Sequence, residues 1–142
     1  AAICFLLATT SDRSMFRQHV IDEPDAISNL QAGSASCMHC PMYFRFEASP
    51  PLLSRLIALH EMEPVDRMPD FMAQTVSLFR EPWWVGDAEL ARSQKYWVMY
   101  EGTRGGEPRV RLALVDGTTI YFATSGHFEK GDYRKLPLPG KP

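Results

Sequence analysis

The sequence lacks several features that would place a protein in a class at once. It has only three cysteines, Cys4, Cys37 and Cys40, which are too few for a disulfide framework, and the odd count leaves at least one unpaired within the monomer. No apolar run approaches the roughly 20 residues of a membrane-spanning helix. No internal repeat or low-complexity tract is evident. The lack of a long apolar run excludes a multi-span membrane protein, and the lack of a repeat argues against a repeat array.

The chain also lacks a strong excess of charge of one sign. Its formal net charge is −2, which argues against broad nucleic-acid binding, because that binding depends mainly on neutralising phosphates. Apolar residues make up 45% and charged residues 23% of the 142 residues. This composition is ordinary for a globular protein and excludes a disordered or collagen-like chain. The length predicts one domain with its own core.

The strongest structural signal that is present lies between residues 95 and 124. Three β-prone runs, near 95–101, 109–115 and 118–124, follow one another and predict an antiparallel meander. Asp116-Gly117 separates the last two runs, and this dipeptide is typical of a two-residue type I′ turn, which needs positive φ at both central positions.

A second strand and a helix complete the predicted core. Residues 42–48 alternate apolar and polar side chains, which predicts a half-buried strand. Ser49 followed by two prolines is a helix start, with the serine oxygen expected to cap free amides. A stripe of apolar residues then runs along residues 50–62. The expected fold is therefore α+β, with an antiparallel sheet of about four strands and a helix near 50–62 on one face.

The rest of the chain has weaker patterns. We expect an apolar N-terminal segment over 1–20, a linker-like segment over 21–41, the α+β domain over 42–128 and an extended tail over 129–142. Residues 1–8 are uninterruptedly apolar, so they are either the end of a signal peptide or anchor that continues upstream, or part of an N-terminal helix. Residues 69–79 fit a short helix or a strand, and residues 88–94 fit a turn.

Cysteine and histidine provide the candidates for chemistry. Cys37-Met38-His39-Cys40 has the spacing of two zinc ligands, so Cys37, His39 and Cys40 are metal candidates, although no second paired motif exists to complete a site. A local disulfide or two plain thiols are the alternatives. An enzyme would combine these three residues with His60. The sequence contains no recognisable nucleophile motif or zinc-protease helix, and we expect neither a catalytic residue nor a cofactor.

Aromatic and basic side chains provide the candidates for binding. Consecutive Trp83 and Trp84 follow a proline, so we expect one ring to be packed and the other to lie at the rim, where tryptophan often anchors an interface. The alternative is that both rings fold over the edge of the sheet and close the core. Arg45, Arg109 and Arg111, with Lys95, are expected to gather on one wet face of the sheet and to receive an acidic partner. The alternative is that arginine simply solvates that face.

Several segments together resemble a pattern found in small bacterial proteins of unknown function. They are residues 24–30, 43–50, 82–84, 114–116 and 120–121, so the resemblance covers residues 24 to 122. Those proteins look secreted or membrane-anchored, with a proline-led "Ser-Ala-x-Asn"-like stretch and paired tryptophans. Here Ala26 precedes Ile27-Ser28-Asn29 instead of following a serine. The resemblance implies a location and a fold, and it supplies no catalytic residues.

The sequence therefore favours a non-enzymatic binding domain with a protein partner and without nucleic acid. The resemblance implies a periplasmic or membrane-associated location, with a possible anchor upstream of residue 1, and the cytoplasm is the alternative. One version is an immunity-type inhibitor, in which Glu61, Glu63, Asp66 and Asp70 meet a basic cleft. The other hypotheses are a small metal- or thiol-dependent enzyme and a structural accessory subunit of a membrane assembly.

Overall fold

An antiparallel sheet organises the chain. The computed structural model describes residues 12–34, 41–103, 108–125 and 133–137. Its helices are α1 (residues 12–19), α2 (Pro50–His60), α3 (Asp70–Ser77) and α4 (Asp87–Arg92), with a 3-10 turn at Pro24–Ala26. Its strands are β1 (Ile27–Ser34), β2 (Met42–Ala48), β3 (Glu63–Val65), β4 (Gln94–Gly102), β5 (Arg109–Asp116), β6 (Thr119–Thr124) and β7 (Tyr133–Leu136).

The α+β class and the antiparallel sheet are confirmed, but the predicted number of strands is wrong. The described residues form seven strands in the order β1-β2-β6-β5-β4, after which β3 and β7 pair with successive parts of the same outer side of β4. The predicted meander is β4, β5 and β6, which pair as neighbours with Tyr96 opposite Ala113 and Val115 opposite Ile120.

The turn between β5 and β6 differs from the prediction in its position and type. Asp116 pairs with Thr119, so the two loop residues are Gly117 and Thr118 instead of Asp116 and Gly117. Gly117 has φ +63°, whereas Thr118 does not have a positive φ. A glycine with positive φ at the first central position alone is typical of a type II′ turn, which suits the twist of a hairpin equally well.

Three segments that the sequence patterns leave irregular are in fact regular. The linker-like segment 21–41 contains β1, which is paired along β2 from Ile27 to Ser34. The tail over 129–142 contains β7, which pairs with β4. The predicted turn over 88–94 is largely helix α4. In the two strands, pairing with an existing neighbour satisfies backbone groups that would otherwise need water, and this long-range contact is invisible in local composition.

Helices cover both faces of the sheet, so the expectation of one wet face is wrong. On the first face, which we call the α2 face, α1 and α2 cover a cluster that includes Phe16, Phe44 and Phe122. On the opposite face, the α3 face, α3, α4 and the segment between them cover a second cluster that includes Tyr43 and Trp97. The alternation over residues 42–48 places Tyr43 with Arg45 and Glu47 on the predicted polar side of β2, yet its ring is fully buried.

Helix α2 has the predicted stripe on the sheet. Leu52, Leu56 and His60 are buried along it. Ser49 occupies the N-cap position with two prolines after it, but its side chain makes no capping hydrogen bond, so that part of the prediction is wrong. The helix ends at Glu61, which takes the left-handed conformation with φ 56°. Its amide hydrogen-bonds back to the Ala58 carbonyl, a common way to terminate a helix.

Candidate interaction surface

The two consecutive tryptophans occupy the segment between α3 and α4. Trp84 is buried at 6% exposure, and its Nε1 donates a hydrogen bond to the Val76 carbonyl oxygen at 2.9 Å. Trp83 is partly buried and meets Trp84 edge-on, with ring centroids 6.3 Å apart. One ring therefore anchors the segment to α3, while the other stays at the rim of the α3 face and is accessible to a partner.

A chain of ring contacts connects this segment to the sheet. Tyr43 stacks on Phe79 with centroids 4.3 Å apart, and Trp84 meets Tyr121 edge-on at 5.6 Å. The Tyr43 hydroxyl donates to the Thr75 carbonyl at 2.6 Å. Burial of this ring raises the pKa of Tyr43 to about 12. Such aromatic pairs add roughly 0.5–1.5 kcal/mol each beyond area burial, so the position of Trp83 over the sheet is well defined.

Gly33 in β1 lies directly beneath these rings. A Cβ atom at this position would be 2.8 Å from Phe79 Cζ and 3.4 Å from Trp83 Cζ2. The first distance is closer than two carbon atoms tolerate, so a side chain at residue 33 would displace the Phe79 ring. Glycine, which weakens a strand locally, thus allows the aromatic segment to reach across the sheet as far as its outermost strand.

Arg45 lies on the same face, one strand inward from β1. Its guanidinium carbon is 5.7 Å from the ring centroid of Tyr121, a cation–π distance. Its Nη1 donates to Gln31 Oε1 across the strand pair at 3.4 Å, which is long for a hydrogen bond. Within the part of the chain that the structure describes, Arg45 makes no ion pair. Its charge is therefore available to a partner.

An open cavity of about 420 Å³ lies beside this arginine. Its lining residues are Asn29, Leu30, Gln31, Arg45, Phe46 and Glu47. The register between β1 and β2 shifts between Ser28 and Gln31, which marks a β-bulge, and Asn29 in the bulge has φ 55°. The Asn29 amide hydrogen-bonds to a Glu47 carboxylate oxygen. The bulge thus turns a polar side chain toward the cavity beside Arg45.

The strand that carries this cavity is an outer strand of the sheet. In the described residues β1 pairs with β2 alone. It spans eight residues and contains neither a charged residue nor proline. At the opposite side of the sheet, β3 has three residues with Pro64 at its centre, and β7 has four with Arg134 and Lys135. Short length, proline and charge protect a sheet edge from pairing with other chains, and β1 has none of these features.

These features adjoin one another, and we refer to Gln31, Gly33, Arg45, Trp83 and the cavity as the β1 surface. Leu78, at the end of α3 and next to Phe79 in the chain, is 62% exposed and adds apolar area to the same layer of the fold. Two of the predicted binding residues, Arg45 and Trp83, are thus part of one surface. A third, Trp84, supports it from beneath.

The two remaining predicted binding residues do not belong to this surface. Arg109 and Arg111 alternate with Val110, whose side chain belongs to the α3-face cluster, so they lie on the α2 face. Lys95 precedes Tyr96 of the α2-face cluster by one residue and so lies on the α3 face. The expectation that these cations gather on one face is therefore wrong. The error arises because strand alternation sets the face, and pairing across strands could not be derived from composition.

Arg111 is part of a polar group at the end of α2. Its Nη1 is 3.0 Å from Nδ1 of the buried His60, and its guanidinium carbon is 5.7 Å from the Tyr100 ring centroid. Because a guanidinium only donates, His60 Nδ1 must accept, and Nε2 then carries the hydrogen that faces the Val20 carbonyl. Burial lowers the pKa of Arg111 and raises that of Tyr100. The group ties α2 and the end of α1 to the sheet.

The candidate enzyme residues cannot be joined into a site. Cys37, His39 and Cys40 lie outside the described residues, so their expected relation to His60 stays a prediction. Across the described ranges, no group of three or more histidine, cysteine or acidic side chains is placed to hold a metal ion. His60 itself serves as the hydrogen-bonded partner of Arg111 described above.

The acidic residues of the immunity hypothesis are partly engaged inside the fold. The Tyr100 hydroxyl lies 3.3 Å from Glu61 Oε2 and 3.1 Å from the His60 carbonyl oxygen. Glu63 forms an ion pair with Lys135 at 3.5 Å. The carboxylates closest to α2 therefore have internal partners, whereas Arg45 of the β1 surface has no carboxylate partner among the described residues.

Comparisons with protein-family models, with curated proteins and with solved structures found no match to this chain. The resemblance to small secreted or membrane-anchored bacterial proteins therefore stays a prediction. None of the helices in the described part of the chain has the length and apolar character that crossing a bilayer requires.

Proposed function

We propose that this chain is a non-enzymatic binding domain that recognises a protein partner through the β1 surface. The observation that carries the proposal is the arrangement of Arg45 and Trp83, which flank a long, uncharged outer strand beside an open cavity. Tryptophan and arginine are among the side chains enriched at the energetic centre of interfaces. Here both are held in place by buried aromatic rings, so little ordering entropy is lost on binding.

The location and the type of partner are part of the same proposal. We place the domain outside the bacterial inner membrane, in line with the resemblance and with the apolar residues 1–8. An immunity-type inhibitor remains the specific version that we favour. The proposed contact surface differs from the one that the sequence suggested. The β1 surface, and not the acidic residues Glu61, Glu63, Asp66 and Asp70, meets the partner.

Affinity capture with matched variants tests this proposal. The immobilised wild-type chain, Trp83→Ala and Arg45→Gln are compared on periplasmic and cytoplasmic extracts of the native host. Leu59→Ser is the control, because Leu59 is 50% exposed on α2, in the opposite layer. We expect one protein, identified by mass spectrometry, to bind the wild type and Leu59→Ser and to be lost with both other variants. Capture that is indifferent to Trp83 and Arg45 would refute the proposal.

A further inference from the structure

The outer side of β1 has the features of a site for an added strand. Resting on the proposed function, we infer that the partner contributes an extended segment that pairs with β1 and places an acidic side chain on Arg45. Adding a strand to an exposed sheet edge is a common mode of peptide recognition, in which backbone hydrogen bonds supply affinity and alternate side chains supply specificity.

The backbone of β1 supports this mode in its second half. The bulge is confined to the residues between Ser28 and Gln31, and from Gln31 to Ser34 the strand keeps a regular register with β2. Its outward amide and carbonyl groups have no strand partner in the described residues. An extended segment would satisfy them, since buried backbone groups in proteins are almost always paired.

Register places the recognition side chains on the α3 face. Gln31 pairs with Arg45, and Gly33 pairs with Tyr43, so Gln31 and Gly33 both face the side that carries Trp83. A strand added beyond β1 would lie about 4.8 Å from it and about 10 Å from β2. Two long side chains span that distance, so a residue opposite Gln31 can reach the Arg45 guanidinium.

The charge of Arg45 selects the chemistry of that residue. Arginine binds carboxylates through paired N–H donors, and Gln31, at 3.4 Å, offers Arg45 only a weak neutral contact. Glu47 is on the same face, but its carboxylate already accepts a hydrogen bond from Asn29. An incoming aspartate or glutamate would therefore find the guanidinium unoccupied by any carboxylate of the described chain.

Gly33 and Trp83 specify the neighbouring position. Side chains on one face of a strand recur at every second residue, so the segment residue opposite Gly33 is two positions from the acidic one. It would face the rim of Trp83, whose Cζ2 is 3.4 Å from where a Cβ of residue 33 would lie. The expected segment thus carries an acidic residue and an apolar residue two positions apart.

A second copy of this chain fits the site less well. Pairing β1 with β1 of another copy would bring only uncharged side chains to the edge, because β1 has the sequence Ile-Ser-Asn-Leu-Gln-Ala-Gly-Ser. No carboxylate would then meet Arg45. We therefore commit to an acidic segment of a different protein, and self-association becomes an outcome of the test.

Selection from a random dodecapeptide library displayed on phage tests the inference. Three baits are compared: the wild-type chain, Gln31→Glu and Gln94→Glu. Gln31→Glu is isosteric and puts a carboxylate within reach of Arg45, which would pair the arginine internally. Gln94→Glu makes the same charge change on an exposed residue of β4, which three strands separate from β1. Circular dichroism and thermal unfolding verify that each bait is folded.

We expect peptides with an acidic residue two positions from an apolar one to be enriched on the wild type and on Gln94→Glu, and not on Gln31→Glu. For an enriched peptide, Gln31→Glu should weaken binding about tenfold or more, because the peptide carboxylate then loses its charge-assisted hydrogen bond to Arg45. Replacing the peptide's acidic residue by its amide should have a similar effect on the wild type and almost none on Gln31→Glu. Amide shifts in NMR spectra should centre on residues 31–34.

Three results would overturn the inference. They are an absence of enrichment on the wild type, the same consensus on Gln31→Glu, and a dimer in sedimentation that forms through β1. In any of these cases, host-protein capture that still depends on Trp83 and Arg45 would leave the proposed function standing. Loss of that dependence would remove the proposed function as well, so the two failures are distinguishable.

Discussion

Two buried tryptophans of the α3-face cluster differ in one hydrogen bond, and this difference predicts opposite contributions of their indole N–H groups. Trp84 Nε1 donates to the Val76 carbonyl at 2.9 Å. Trp97 is fully buried, and its Nε1 has no hydrogen-bond partner among the described residues. Replacing each by phenylalanine removes the N–H and a similar part of the ring, so the packing losses largely cancel in the comparison.

The magnitude follows from the cost of a buried polar group without a partner, roughly 1–3 kcal/mol. Trp84→Phe leaves the Val76 carbonyl without its donor and should incur that cost. Trp97→Phe removes a donor that lacks a partner among the described residues, so this variant should no longer bear the cost of burying it. We therefore expect Trp84→Phe to lower the free energy of unfolding by about 2–6 kcal/mol more than Trp97→Phe does.

Urea unfolding followed by circular dichroism measures both values, with an equal dependence on denaturant as the check that the two variants unfold in the same way. Equal losses for the two variants, or a larger loss for Trp97→Phe, would refute the reasoning, because Trp97 would then have a partner that the described residues do not provide. A drop in partner capture with Trp84→Phe would in addition connect the anchored segment to the β1 surface.

Three further predictions concern side chains that the fold places in unusual surroundings. Gly33→Ala should displace the Phe79 ring and change the near-ultraviolet circular dichroism, whereas Gly86→Ala, which meets only the flexible end of Glu89, should not. Burial raises the pKa of Tyr43 to about 12, so as pH rises the unfolded chain loses the Tyr43 hydroxyl proton before the folded chain does. The Tyr43 contribution to the free energy of unfolding should therefore fall by about 1.4 kcal/mol per pH unit from about pH 10 to 12. A Tyr43→Phe variant that showed the same decline as the wild type would contradict this. The hydrogen bonds from Arg92 lower the pKa of Asp116, so their stabilisation is present above the ordinary aspartate value and is lost as pH falls through the lowered one. Arg92→Ala should raise that pKa in carboxyl NMR titrations, and an unchanged value would refute the assignment.

Local sequence pattern correctly predicts those helices and strands in which the residue types and the hydrophobic periodicity both favour the same secondary structure. The meander and β2 are rich in β-prone residues, and α2 combines a proline start with an apolar stripe. For β1 the local signals conflict, because serine, asparagine and glycine are typical of turns. It becomes a strand through its ladder with β2 and through apolar contacts of Ile27, Leu30 and Ala32 with the α2-face cluster.

The β1 surface shows the same division between local and long-range information. Trp83, Trp84 and Arg45 are conspicuous in the sequence as bulky or charged residues of candidate binding segments. That Gly33 lies beneath Trp83, and that Tyr121 lies beneath Arg45, depends on residues 50 and 76 positions apart in the chain. No local pattern encodes such a contact.

By itself, then, the sequence determined the α+β class, the hairpin order of β4, β5 and β6, and the helix that covers one face, because periodicity and turn residues act over a few positions. Only the tertiary structure decided that β1 forms the edge, that the second face is also covered, and that Arg45 is separated from Arg109 and Arg111. The physical reason is that a side chain's face depends on strand register, which is set by pairing between distant segments.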